Sequence, residues 1–113
     1  MVKVKFSTQD GKFVGVECSG HCEYAEEGAD IVCAALSSVI QTAVLGIMHI
    51  VGVNIAYETD AKDGYLYAML PKSMTSAQAH DADVILRTAY LGASDLYEGF
   101  SDYINLEVKN NVH

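Results

Sequence analysis

From Ile31 to Val53 the chain carries no Asp, Glu, Lys or Arg. A stretch of that length without charge either spans a membrane or runs as a helix through a protein core. Ser37, Ser38, Gln41, Thr42 and His49 interrupt it, no basic cluster flanks it, and alternating patterns stand on both sides. Those features favour a core helix, and no membrane association is expected. Ile31, Leu36, Val39, Ile40, Ala43, Val44, Ile47 and Ile50 spread over far more than a narrow stripe of a helix surface. The helix is therefore expected from about Ile31 to Ile50, buried on more than one face, as in a two-layer fold that also dimerises. Gly52 suits the residue past its C-terminus.

Strand patterns surround this run. Val2, Val4 and Phe6 alternate with Lys3, Lys5 and Ser7, and Asp10-Gly11 is a two-residue hairpin signal. The partner strand, about Lys12 to Ser19, is expected to put Val14, Val16 and Cys18 on one face. Val53 to Thr59 alternates again, and a turn from Asp60 to Gly64 leads to a strand from Tyr65 to Leu70. Thr75 with Gln78 forms a capping-box pattern for a second helix to about Tyr97, closed by Gly99. Its inner stripe reads Ala82, Ile85, Ala89, Gly92 and Leu96. A last strand, Tyr103 to Val108, completes the order ββαββαβ. The expected fold is α+β, a two-layer sandwich of a mainly antiparallel five-stranded sheet with two helices on one face. One domain over residues 1–108 is expected, with a frayed tail at 109–113.

The chain has 113 residues and a net charge of −8, which disfavours nucleic acid as a direct partner. Its three cysteines cannot complete a disulfide framework, and Met1-Val2-Lys3-Val4-Lys5 runs straight into a strand pattern without a signal peptide. A cytoplasmic location is expected.

Chemistry concentrates in residues 20–38. Gly20 and Gly28 bracket a polar loop that begins with His21, and Asp30 suits the N-cap of the long helix. Cys33 would then lie in the first helical turn, where unpaired N–H groups and peptide dipoles favour a thiolate. The same N–H groups could hold an oxyanion forming on a substrate carbonyl. Asp30, Cys33 and Ser37 fall within a sector of roughly 60° at about 100° per residue. A cysteine nucleophile also needs a base, and His21 is the best placed histidine. His49 lies about four turns further along, His80 is in the second helix and His113 is in the tail. The plain alternative makes Cys33 a small buried hydrophobe and His21 an exposed loop residue. A zinc site from Cys18, His21, Cys22 and Cys33 is the other alternative, but no C-x-x-C pair occurs and Cys18 belongs to a strand's inward face. No metal or other cofactor is expected.

Gly20-His21, Gly28, Asp30-Ile31-Val32-Cys33-Ala34-Ala35 and Ser37 resemble the signature of the ribosomal-processing cysteine protease Prp family. The element order and the length fit that family end to end. The resemblance implies a bacterial, homodimeric thiol endopeptidase that removes the N-terminal extension of large-subunit ribosomal protein twenty-seven. It implies His21 and Cys33 as the catalytic dyad, with Gly20, Asp30 and Ser37 at recurring positions around them. Asp30 is left with two roles, capping the helix or orienting His21. Glu23, Tyr24, Glu26, Glu27 and Gly28 are candidates for a substrate-contacting loop, whose acidic members suit a basic tail. Cys22 departs from the small residue expected after the histidine, and its second thiol opens the site to oxidation or to a Cys22–Cys33 disulfide. A non-enzymatic ribosome-associated binding module with a structural Cys/His pair is the reading from another class.

Overall fold

The computed structural model describes the backbone of residues 1–20, 27–60 and 64–111, and the side chains of all of these except 27–30. Strands β1 (Val2–Gln9) and β2 (Lys12–Ser19) pair antiparallel around Asp10-Gly11, whose φ values of 53° and 79° suit a two-residue hairpin turn. The register moves from Ser7↔Gly15 to Thr8↔Phe13, leaving Val14 as an extra residue. This bulge resets the side-chain alternation. Phe13, rather than Val14, is buried with Val16 and Cys18, so the expected inward face is corrected at that point. Phe13 packs its ring 5.9 Å from Phe6 and 5.5 Å from Tyr90.

Helix α1 runs Glu27–Gly46, and its last turn, Ile47–Val51, widens to π spacing. Gly52 closes it as expected, donating its N–H to the Ile47 carbonyl at 3.0 Å. Val32, Leu36, Ile40, Val44 and Ile47 form its buried stripe. By length and composition Ile31–Val51 could cross a membrane, but here its inner side covers the sheet. Its outer side leaves Ile31, Leu45 and Ile50 exposed.

Strand β3 is Ala56–Asp60 and β4 is Tyr65–Met69. Val53 and Ile55 were expected to begin β3; both are buried, but they lie in the connector before it. The expected turn between these strands lies partly outside the described residues. Helix α2, Ser76–Gly99, opens with the expected capping box. Thr75 Oγ1 accepts the Gln78 N–H at 3.1 Å and Gln78 Oε1 accepts the Thr75 N–H at 3.0 Å. The helix keeps Gly99 inside it, and Phe100 takes the cap instead. Ala82, Leu86, Ala89 and Ala93 face the core, while Gly92 meets Val39 of α1, where an added Cβ would lie 3.1 Å from a valine methyl.

Strand β5, Ile104–Asn110, pairs parallel with β1, and the Asn111 N–H reaches the Thr8 carbonyl at 2.7 Å. Residues 109 and 110 are thus sheet rather than frayed tail, because β1 is long enough to pair with them. The sheet order is β3-β4-β2-β1-β5, with only the β1–β5 pair parallel. Both helices pack into one core on one face, giving the expected α+β two-layer sandwich. Central β2 ends where residues 20–26 lead into α1.

Candidate active site

The last described residue before this connector is Gly20, at φ 119°. A Cβ there would lie 2.5 Å from the Met1 carbonyl oxygen, so both the conformation and the close approach require glycine. The start of β1 therefore packs directly against the exit of β2. His21, Cys22, Glu23, Tyr24 and Glu26 lie outside the described residues.

Glu27 and Gly28, expected in the loop, form the first two positions of α1. Asp30 is consequently the fourth residue of the helix and does not occupy its N-cap. Glu27-Gly28-Ala29 are helical, so the helix already runs through the three positions ahead of Asp30. Cys33 becomes the seventh residue, beyond the first turn, and its own N–H belongs to the helical ladder.

Helical phase still places Asp30, Cys33 and Ser37 on one side of α1. Cys33 is partly buried against the core between the fully buried Val32 and Leu36, and Ser37 is partly buried one turn on. The Cys33 sulfur is in a disulfide, so thiolate chemistry belongs to the reduced chain. Cys18 is different in kind: a free thiol, only 7% exposed, with its pKa pushed up to about 11 by burial. Zinc binds thiolate, and burial holds Cys18 in the opposite form. Among the described residues, no group of three or more His, Cys, Asp and Glu side chains gathers to hold a metal. His49 is exposed in the π turn at the far end of α1, and His80 is exposed beside Asp81 at 3.1 Å.

The Met1–Gly20 contact was not foreseen, since it joins positions nearly twenty residues apart with no local signal. The upstream start of α1 was hidden by Gly28, which reads as a loop residue.

Comparison with known proteins gives a consistent picture. The family model described as "Cysteine protease Prp" matches residues 1–105. The ribosomal processing cysteine protease Prp of Bacillus subtilis is 25% identical over 105 residues, spanning 93% of this chain and 92% of its own. That of Staphylococcus aureus is 26% identical over 110 residues, spanning 96% and 100%. A solved Streptococcus mutans protein, 22% identical, superposes with a TM-score of 0.85 over 98% of this chain and 96% of its own. A Staphylococcus aureus ribosomal processing protease Prp, solved in complex with a substrate peptide, gives 0.84 at 25% identity over 96% and 100%. The match runs through both hairpins and both helices, including the connector and the start of α1: this chain belongs to the cysteine protease Prp family.

Proposed function

We propose that this protein is a cytoplasmic cysteine endopeptidase that removes the N-terminal extension of large-subunit ribosomal protein twenty-seven, with Cys33 as nucleophile and His21 as base. The observation that carries the reading is the contrast between the two described cysteines. Cys18 is sealed in the core with a raised pKa, whereas Cys33 is partly exposed on the helix that directly follows the His21 segment. Relatives of the same family support it: one Staphylococcus aureus structure holds a substrate peptide and another a covalently linked product peptide.

In the reduced chain, His21 takes the Cys33 proton and the thiolate attacks the scissile carbonyl, forming a C–S bond and a tetrahedral oxyanion. N–H groups at the opening of α1 are the backbone donors available to that oxygen. Collapse breaks the C–N bond as His21 returns the proton to the leaving amine, and water then hydrolyses the thioester. Asp30 and Ser37, on the Cys33 side of α1, are positioning residues, and with the N-cap role gone Asp30 is assigned to His21. The acidic residues Glu23 and Glu26 of the segment before α1, with Glu27 of α1 itself, attract a basic extension.

The protein is a homodimer in this reading, joined through the outer helical layer. Val39, Ala43 and Ile50 of α1 and Ile85 and Ala89 of α2 line an apolar groove of about 490 Å³ between the helices, and Ile31, Leu45 and Leu91 are also exposed on these two helices. Apolar surface of that kind marks an association site.

The test is incubation of the reduced protein with the extended ribosomal precursor, followed by mass spectrometry. Removal of the extension by the native chain, and its loss in Cys33→Ala and in His21→Ala, is expected. An uncut precursor, or undiminished cutting by Cys33→Ala, overturns the assignment and leaves a binding module.

A further inference from the structure

The face of the sheet turned away from the helices carries a groove that the peptidase chemistry does not use. Along β1, Lys5 and Ser7 alternate with the core residues Val4 and Phe6, so they belong to that open face. The pairing register sets Ser7 beside Gly15 and Lys109, and Gly15 beside Met69. A Cβ at Gly15 would lie 2.8 Å from the Met69 sulfur, so the Met69 side chain lies over the bare backbone there. A hollow of about 160 Å³ opens among Lys5, Glu17, Tyr67 and Lys109. A second, of about 520 Å³, lies between Asp10 and Lys12 of the hairpin and the residues that follow β4. Met69 and Asn111 line both, so the two hollows form one groove.

Its lining joins apolar surface to positive charge. The bulge that withdraws Val14 from the core puts it into the larger hollow, with Leu70, Pro71 and Met74. Lys12 and Lys72 line the same hollow, and Lys5 and Lys109 the smaller one. Four of the chain's seven basic residues thus meet along one groove, in a chain of net charge −8. Two carboxylates accompany them. Glu17 lies 4.0 Å from Lys5 and accepts the Tyr65 hydroxyl at 3.3 Å, and Asp10 sits in the turn. Among the described residues, no carboxylate pairs with Lys12, Lys72 or Lys109.

We propose that this groove docks an acidic segment of another protein, one whose Asp or Glu residues are interleaved with large apolar side chains. The lysines meet the carboxylates, and the apolar wall takes side chains out of water. The larger hollow falls within the ~300–1,000 Å³ span of ligand sites. Nucleic acid suits the face less well. Glu58, Asp60 and Glu107 stand in register with Tyr67, Tyr65 and Lys5, so a long polyanion leaving the groove would meet carboxylates. The docking site is also remote from the peptidase chemistry, and it does not rest on it. Val14 and Gly20 are separated by six residues along β2 and its exit, about 20 Å at ~3.3 Å per residue. A homodimer joined through the helical layer leaves this face open.

Fluorescence anisotropy of a labelled synthetic peptide that alternates Glu with Leu and Phe tests the site on the full chain. Binding should saturate, and should weaken as salt is raised, because surface charges are screened. The double change Lys12→Glu and Lys72→Glu should weaken it about tenfold or more. Its melting temperature should stay at the native value, since both side chains are exposed. Lys3→Glu reverses a charge on the same face outside the groove and should leave binding at the native level. A peptide with Ser in place of Leu and Phe should bind about tenfold more weakly. Absent binding, or equal weakening by Lys3→Glu, overturns the docking site. Equal affinity for the Ser peptide overturns it as well, because the apolar wall then contributes nothing. Tighter binding of a single-stranded RNA oligonucleotide, lost in the double variant, overturns the acidic partner and reassigns the groove to nucleic acid.

Discussion

The backbone of Gly20 packs against Met1 so closely that a Cβ at position 20 would lie 2.5 Å from the Met1 carbonyl oxygen. This contact holds the exit of the central strand, and with it the point from which the His21 segment departs, against the start of β1. Gly20→Ala adds a side chain at φ 119° and forces the Met1 backbone aside. Strain of this kind costs about 1–3 kcal/mol before the clash is counted. The midpoint of thermal unfolding should drop by roughly 8 °C for each 2 kcal/mol lost in a domain of this size. Precursor cleavage at a temperature where the variant remains folded should also fall. Unchanged melting would show that β1 and β2 separate here without penalty.

A second long-range tie lies at the other end of the hairpin. Asp83 on α2 accepts the Phe13 N–H at 2.7 Å and receives Arg87 Nε at 3.0 Å on both carboxylate oxygens. Arg87 also donates to the Gly11 carbonyl and lies 5.0 Å over the Phe13 ring. Asp83→Ala leaves the bulge amide without its acceptor and should cost about 1–3 kcal/mol. Asp83→Asn keeps an acceptor oxygen and loses only the partly exposed ion pair, so its cost should stay below about 1 kcal/mol. Urea unfolding of the two variants checks the order; equal losses would assign the stabilisation to charge rather than to the amide acceptor.

Features that depend on neighbours along the chain were legible in the residues. The Asp10-Gly11 hairpin, the Thr75–Gln78 capping box and closure by Gly52 all form as expected, because each is a local match of backbone need to side chain. Features that depend on distant partners were not. Val14, Val16 and Cys18 alternate perfectly as letters, yet the Val14 bulge gives the inward place to Phe13, whose partners Phe6 and Tyr90 come from β1 and α2. Lys109 and Asn110 look like a polar tail, but the parallel pairing with β1 orders them. At the site, the shared helical side of Asp30, Cys33 and Ser37 followed from spacing alone, whereas the helical state of Glu27-Gly28-Ala29 did not, and those residues move Cys33 out of the first turn.

Burial of Cys18 makes stability fall with rising pH in the alkaline range. The thiol titrates at its ordinary value of 9.0 when exposed and at about 11 in the fold. Between these values the unfolded chain has lost a proton that the folded chain still holds, so the slope of unfolding free energy against pH is negative. The contribution is complete below pH 9 and is lost as pH rises through about 11. At about 1.4 kcal/mol per pH unit it amounts to roughly 2–3 kcal/mol. Urea unfolding across that range should show the extra slope in the native chain and lose it in Cys18→Ala. The same burial predicts that Cys18 resists iodoacetamide at pH 8 until denaturant is added.

The outer helical layer provides the remaining prediction. Ile50 is 85% exposed and lines the groove between α1 and α2, so a charge there leaves the core of one chain intact. Ile50→Glu should shift stability by no more than about 0.5 kcal/mol, the range of ordinary surface substitutions. In a homodimer joined at this face, the same change buries two like charges, and unpaired buried charge is strongly destabilising to association. Light scattering should therefore report twice 12.2 kDa for the native protein and 12.2 kDa for the variant at equal concentration. A native protein that stays at the single-chain mass across micromolar concentrations removes the homodimer, and a variant that stays dimeric moves the interface to another face. If the variant is monomeric and still cuts the precursor, each chain carries a complete site; if cutting is lost while melting is unchanged, the helical layer holds the site together from across the interface.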